Sequence, residues 1–291
     1  MDSYRKILAA VDLGPDTERV LAYALWFART AESDYGLHLL HVMDYTFTPP
    51  AYLMPYMEKE KADADTALRT WQERLSAAGV KSAHTVAVGR LVETFGASIK
   101  ELSTGVLVLG HQSHLVRPSS SERLVRSLEV PVLVVRGQKA KGAALGAVAV
   151  RKIVCAVDFS DNSRRAMDFG RSLADKLSAE LVMAHVVPEL SPDKNPTALK
   201  NMSQTEREEY TRHLLQGAEE NICSFLHGCG GMQSVVRGGA PYKTINEIAV
   251  EKDADLIVMG ARGLSYIKGI VLGSVSESVL KSSPCPVMVI H

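Results

Sequence analysis

The sequence has no excess of either charge, no long apolar run and few cysteines. Basic and acidic residues balance at 33 each, and no long basic run interrupts that balance. Binding to a phosphate backbone rests on clustered Lys and Arg, so nucleic acid is not expected as the main partner. No apolar stretch approaches the ~18–20 residues of a membrane-spanning helix. No secretory signal precedes Tyr4-Arg5-Lys6. Of the four cysteines, Cys155 and Cys285 sit in apolar, strand-like runs, where buried free thiols are expected. A cytoplasmic, reducing setting is the resulting expectation. Catalytic signatures are missing too: there is no Gly-x-Ser-x-Gly elbow, no His-Glu-x-x-His helix and no pair of catalytic carboxylates. The stretch Gly238–Thr244 only loosely resembles a P-loop, because no glycine precedes Lys243. Its glycines read as a conformational need rather than a phosphate site.

What is present is a globular composition and a repeat. Apolar residues make up 46% of the 291 residues and charged residues 23%, an ordinary balance for a protein that buries a core. The length suits about two domains of ~100–200 residues. The run RKILAAVD at 5–12 returns as RKIVCAVD at 151–158. Further pairs follow in order: Leu39–Val42 with Met183–Val186, Val106–Gly110 with Leu256–Gly260, and Pro131–Val135 with Pro286–Ile290. One duplicated unit explains this. The expected boundaries are a first domain at 1–137, a Gly-, Ala- and Lys-rich linker at 138–149, and a second domain at 150–291.

The runs at 6–11, 37–43, 106–109 and 132–135 are short, rich in Val, Ile and Leu, and hardly alternate. Such runs suit strands buried on both faces of a parallel sheet. Between them, Thr17–Ala31 and Asn162–Leu177 place apolar residues at helical spacing, and Ser203 with Glu206 forms a capping-box pattern opening a helix over 204–226. Alternating strands and helices predict an α/β fold of right-handed βαβ units, with ligands held beyond the carboxyl ends of the strands.

One loop lies where that rule puts a ligand. After the strand at 256–259, Gly260 and Gly263 are followed by Gly273-Ser274 and then a helical pattern carrying Val275, Val279 and Leu280. Glycines allow close approach of a ligand to the backbone. Successive N–H groups and a helix start make an anion site. The Ser274 hydroxyl adds a donor, and Arg262 or Lys268 adds mobile positive charge. The competing reading is a turn that needs its glycines for conformation alone.

The spacing Gly-x2-Gly-x9-Gly-Ser after a strand, with Val-Asp ending the first strand, resembles the ATP-binding branch of the universal stress protein family. The two copies cover nearly the whole chain, as in its tandem members. The resemblance implies two Rossmann-like domains of the adenine nucleotide alpha hydrolase type, each with a five-stranded, mostly parallel sheet flanked by helices. It also implies roles in the second copy. Asp158 contacts the ribose, Ala156 lies beside the base, the backbone at Val186 reads adenine, and Met259 flanks base and ribose. Gly260, Gly263, Gly273, Ser274 and Val275 wrap the phosphates. The cofactor implied is ATP, with or without Mg²⁺. For Asp158 a purely local role, as a turn or helix-cap carboxylate, is the alternative.

The first copy departs from the motif. Gly110 is kept, but Ser113 replaces the second glycine, Pro118 and Ser119 align with Gly273 and Ser274, and the loop is five residues shorter. Proline removes one donor. This copy is therefore not expected to bind ATP in the family manner, although Asp12 survives. His111, His114, Arg117 and Ser119–Ser121 read as a solvated loop, with contact to an anion as the alternative. Cys223, His227 and Cys229, with the more remote His213, lack the tight pairing of zinc motifs. No metal site and no catalytic residue is expected. His41 and His185 recur in register and read as structural, bonding neighbouring backbone.

The function expected is that of an ATP-binding stress regulator whose nucleotide sets conformation or assembly. The alternatives are a slow ATPase or self-phosphorylating protein, and a nucleotide-independent scaffold. In the family, last strands pair, so 132–135 and 286–290 are expected to join the two domains as a pseudo-dimer. Association of two chains into a homodimer stays open, and protein partners are unknown.

Overall fold

The computed structural model describes residues 6–30, 36–44, 54–111, 120–188, 202–226, 233–263 and 272–291. The chain forms two compact units. The first comprises 1–150 together with 285–289 and 291, and the second comprises 151–284 with 290.

In the first unit the described elements are β1 (Lys6–Ala10), α1 (Thr17–Thr30), β2 (Gly36–Met43), α2 (Met54–Ala77), β3 (Ser82–Val88), α3 (Leu91–Glu101), β4 (Thr104–Gly110), α4 (Ser120–Ser127) and β5 (Val132–Val135). The strand order is β3-β2-β1-β4-β5, with every neighbouring pair parallel. The order reverses between β1 and β4. The last strand of the chain, β10 (Val287–Ile290), runs antiparallel to β5, with Val287 opposite Val134 and Val289 opposite Val132.

The second unit carries β6 (Lys152–Ala156), α5 (Asp161–Leu177), β7 (Glu180–Pro188), α6 (Gln204–Phe225), β8 (Gln233–Gly239), α7 (Pro241–Glu251), β9 (Leu256–Gly260) and α8 (Ser274–Ser282). Its order β9-β6-β7-β8 repeats the first unit's arrangement, again all parallel. The reversal falls between β6 and β9. The α/β class and the tandem parallel sheets expected from the sequence are observed.

The central strands are buried on both faces, as their unbroken apolar runs require: Leu8, Leu107 and Val108 in one unit, Ile153, Ile257 and Val258 in the other, each at most 1% exposed. A fully buried side chain of this size contributes about 1.5–3 kcal/mol, so these strands anchor each sheet. The helices present apolar stripes to them. In α5 the buried Ala166, Phe169, Gly170, Leu173 and Ala174 recur at helical spacing. Its N-terminus is capped by Ser160, whose Oγ accepts from Ser163 N. The Ser203–Glu206 capping box is complete in both directions.

Strands β3 and β8 are not among the apolar runs of the sequence. They are sheet edges, and β3 alternates half-buried and exposed residues over SAHTVAV. An edge strand needs only one covered face, so it lacks the continuous apolar run of a central strand.

Candidate functional site

The sheet reversal in the second unit places the end of β6 beside the end of β9. Ala156 and Met259 are register partners there, both nearly buried. The ladder continues one residue further, Val157 N donating to Ala184 O at 2.9 Å. Asp158 follows. Its Oδ1 accepts from Ser160 N at 3.1 Å and from Ser160 Oγ at 2.6 Å. Between them Phe159 takes the left-handed conformation with φ 65°, a costly choice for a residue with a Cβ and one that clusters at functional turns. The chain reverses there from strand into α5. Asp158 therefore has the local role weighed for it, through one of its two oxygens.

The other oxygen faces Gly263. A Cβ built on Gly263 would overlap Asp158 Oδ2, so any larger residue here requires the carboxylate to move. Gly260 is equally constrained, since a Cβ there would lie 2.9 Å from the backbone carbon and the Cβ of Asn162, in the first turn of α5. Beyond β9, Ala261 N donates to Ile290 O and Gly273 N donates to Ala261 O, each at 2.7 Å. The second bond draws the two ends of the loop together. Residues 264–271, including Lys268, lie outside the described residues.

Gly273 is the N-cap of α8, and its amide is already engaged by Ala261. The donors that open α8 toward a ligand are consequently Ser274, Val275 and Ser276, whose N–H groups have no acceptor within the helix. Glu277 N returns to Gly273 O. Ser276 Oγ donates to Gly260 O at 2.9 Å and pins the helix start to the strand end. Ser274 is exposed and Val275 half-buried. Arg262 is half-buried, and its carbonyl lies 3.5 Å from Ser160 Oγ.

The structure thus gathers Asp158, Gly260, Gly263, Gly273, Ser274 and Val275 at the carboxyl edge of β6 and β9. Ala156 and Met259 lie one step behind, and Val186 is buried on the neighbouring β7. Four residues around the site escaped the sequence motif. Ser160 and Asn162 shape the turn, Ser276 ties α8 to β9, and Phe159 packs 4.4 Å from the His185 ring and 5.5 Å from Phe225. Only the spacing of Ser160 from Asp158 was a legible signal, as a turn pattern.

His185 Nδ1 lies 2.8 Å from Val157 O, and His41 Nδ1 lies 2.8 Å from Val11 O. A carbonyl can only accept, so both rings carry the proton on Nδ1. Both histidines have the structural role expected. Cys155 and Cys285 are buried, and burial pushes the Cys155 thiol up to about 12, leaving it an inert apolar group.

In the first unit Asp12 repeats the turn, with Oδ1 accepting from Gly14 N at 3.0 Å and Thr17 Oγ1 at 3.4 Å, and Leu13 at φ 59°. His111 corrects the expectation of a solvated loop. It is only 7% exposed, and its Nδ1 meets Ser121 Oγ at 2.7 Å. Its amide donates to Val135 O, just as Ala261 donates to Ile290, which makes position 111 a strand-end residue rather than part of the loop. Ser113, His114, Arg117, Pro118 and Ser119 lie outside the described residues, as do His227 and Cys229. Cys223 is exposed on α6, and among the described residues no group of three or more His, Cys, Asp or Glu is arranged to hold a metal. No helix among them is long and apolar enough to cross a membrane.

Comparison with known proteins identifies the family. The model of the universal stress protein family matches residues 3–136 and again 149–291. A universal stress protein of Methanocaldococcus jannaschii is 30% identical over 155 residues, which are 49% of this chain and 96% of that protein. One of Bacillus subtilis is 32% identical over 150 residues, 48% of this chain and 98% of its own length. Each therefore corresponds to one copy. Over the whole chain, the crystal structure of a universal stress protein from Archaeoglobus fulgidus superposes with a TM-score of 0.71 at 24% identity, covering 98% of this chain and 96% of that one. That likeness concerns the fold.

Proposed function

The chain belongs to the universal stress protein family, with the family domain present twice, and from that premise we propose that its second copy binds ATP as a regulatory ligand. A stress-response role follows from the membership. The nucleotide assignment rests above all on the junction of Asp158, Gly263 and the start of α8. There a carboxylate suited to ribose hydroxyls lies directly against Gly263, where any added side chain would displace it. The amides of Ser274, Val275 and Ser276 offer the dipole-assisted anion site that a triphosphate needs. Ala156, Met259 and Val186 supply an apolar seat for the base. Gly273 contributes by closing the loop, since its own amide is engaged. Mg²⁺ would accompany the triphosphate as its counter-ion, and binding of this ligand biases the conformation or assembly of the chain.

Calorimetric titration of the full chain with ATP tests this. One ATP per chain is expected. Gly263→Val should abolish binding. Asp158→Ala, which removes hydrogen bonds to the ribose, should weaken it by about tenfold, or about 1.4 kcal/mol. Absence of heat from the unaltered chain, or full affinity in Gly263→Val, overturns the proposal. Turnover above that of a Ser274→Ala control would favour the enzymatic alternative.

A further inference from the structure

The outer edge of the first unit holds a polar network that the proposed nucleotide site does not use. Its centre is His84 on β3, and its partners stand on α2. Successive residues of a strand point to opposite faces. His84 turns toward α2, while its neighbour Thr85 meets His38 on the other face.

Asp65, Arg69 and Gln72 follow one another at helical spacing along one stripe of α2. Gln72 Nε2 donates to Ser82 O at 2.6 Å. A carbonyl only accepts, so this bond fixes the amide with its oxygen toward the ring. His84 Nδ1 lies 2.7 Å from that oxygen, and Nε2 lies 3.1 Å from Asp65 Oδ1. Asp65 Oδ2 accepts from Arg69 Nε at 2.8 Å. Arg69, then the His84 ring, hold the Asp65 carboxyl below its usual range. Both ring nitrogens thus face oxygens that cannot donate.

An imidazole satisfies two acceptors only when it carries two protons. With one proton, a ring lone pair would face an oxygen lone pair. From this arrangement we infer that α2 is fastened to β3 by a proton: the helix docks when His84 is an imidazolium and loosens when the ring is neutral. Little else holds the helix. Of its 24 residues only Ala64, Leu68 and Leu75 are buried. The His84 side chain is 13% exposed, so water replaces a lost bond poorly. Docking and protonation favour each other. The fastening is therefore complete at the acidic end of the imidazole range, about pH 5–8, and is lost as the pH rises through it.

Asp65 and Arg69 are the charges that face the ring from α2. On β2, His38 stands on the opposite face, with Lys6 and Glu101 around it. The second copy is an internal control. Leu39 pairs with His84 as Met183 pairs with Ser234, and a serine does not titrate.

The test uses the full chain carrying His38→Gln, which removes the titration of His38. Ring ¹⁵N NMR follows the protons on His84. Hydrogen exchange, corrected for the intrinsic pH dependence of amide exchange, follows α1, α2 and α6. From about pH 5.5 to about 8.5, α2 should lose about tenfold in protection, at the midpoint where His84 gives up its second proton. Protection of α1 and α6 should hold. Asp65→Asn, which keeps an oxygen but removes the charge, should move both midpoints to lower pH together. His84→Gln should leave α2 loosened throughout the range, with α1 still protected. A ring that never carries two protons in this range overturns the inference. So does α2 protection that ignores the ring's titration or survives unchanged in His84→Gln.

Discussion

In both copies a strand ends in an aspartate, the next residue turns left-handed, and a histidine of the neighbouring strand bonds the carbonyl just before the aspartate. Asp12, Leu13 and His41 do this in the first copy, and Asp158, Phe159 and His185 in the second. The copies part at the second strand end. Gly260 packs on the backbone of α5, Gly263 on a carboxylate, and Ser276 on the Gly260 carbonyl. In the first copy Gly110 faces only a valine methyl, and Ser121 is held by His111. What recurs is what the turn from strand to helix requires. Among the described residues, what occurs once is the close packing of the strand end on which the nucleotide proposal rests.

The sharpest way to break that comparison is to add one methyl group to each strand-end glycine. In Gly260→Ala the new Cβ would sit 2.9 Å from the backbone carbon of Asn162 and 3.1 Å from its oxygen. Neither can rotate away, so α5 must lift from β9, at a cost of about 3 kcal/mol. In Gly110→Ala the nearest atom is Val20 Cγ2 at 3.0 Å, and a side-chain methyl can yield for under about 1 kcal/mol. Two units need not unfold together, so hydrogen exchange across α1 and across α5 is the suitable measurement. Loss of protection should be confined to α5 in Gly260→Ala. Equal or reversed losses would mean that the two glycines share one role.

The same contrast shows how far the sequence could be read. Central strands were legible because burial on both faces demands unbroken apolar runs such as Ile153–Ala156. The edge strand β3 was not, because half its residues face outward. The glycines of 260–273 marked the right loop, but spacing alone says nothing about which amides are free. Gly273 looked like a phosphate donor, and its N–H belongs to Ala261. His111 looked like a loop residue because its neighbours are polar, yet it continues the strand-end ladder. The meeting of Asp12, Asp16 and Asp44 was hidden for a different reason. They come from two strand ends and a turn, and only the parallel pairing of β1 with β2 brings them together.

A second comparison concerns the paired histidines. Each donates Nδ1–H to a buried carbonyl, and removing the donor leaves that carbonyl unsatisfied, at about 1–2 kcal/mol. His185 also packs against Phe159 at 4.4 Å, whereas the residue matching Phe159 in the first copy is Leu13. An aromatic pair adds about 0.5–1.5 kcal/mol. Substituting alanine should therefore destabilise the second unit more through His185 than the first through His41. Exchange of the amides around Val157 and Val11 would report the two losses separately. Equal losses would show that the Phe159 ring adds nothing to the turn.

The smallest expected difference is one of pH. His38 on β2 is half-buried, and its Nε2 lies 2.9 Å from Thr85 Oγ1. Burial, then Lys6 and His84, hold its imidazole below the usual value of 6.5, with Glu101 opposing them. A group whose folded value is depressed binds fewer protons in the native state than in the unfolded chain. Its contribution is therefore intact above about pH 6.5 and is lost as the pH falls below that value toward the folded one. Val182 stands at this position in the second copy and cannot titrate. On acidification from pH 7.5 to 5.5, protection of β2 and β3 should decline through His38 in a way that β7 and β8 do not share. His38→Gln, which keeps a donor for Thr85 but cannot take up a proton, should remove that part of the decline. If the substituted chain loses protection as steeply as the original, the pH dependence of the first unit has another source.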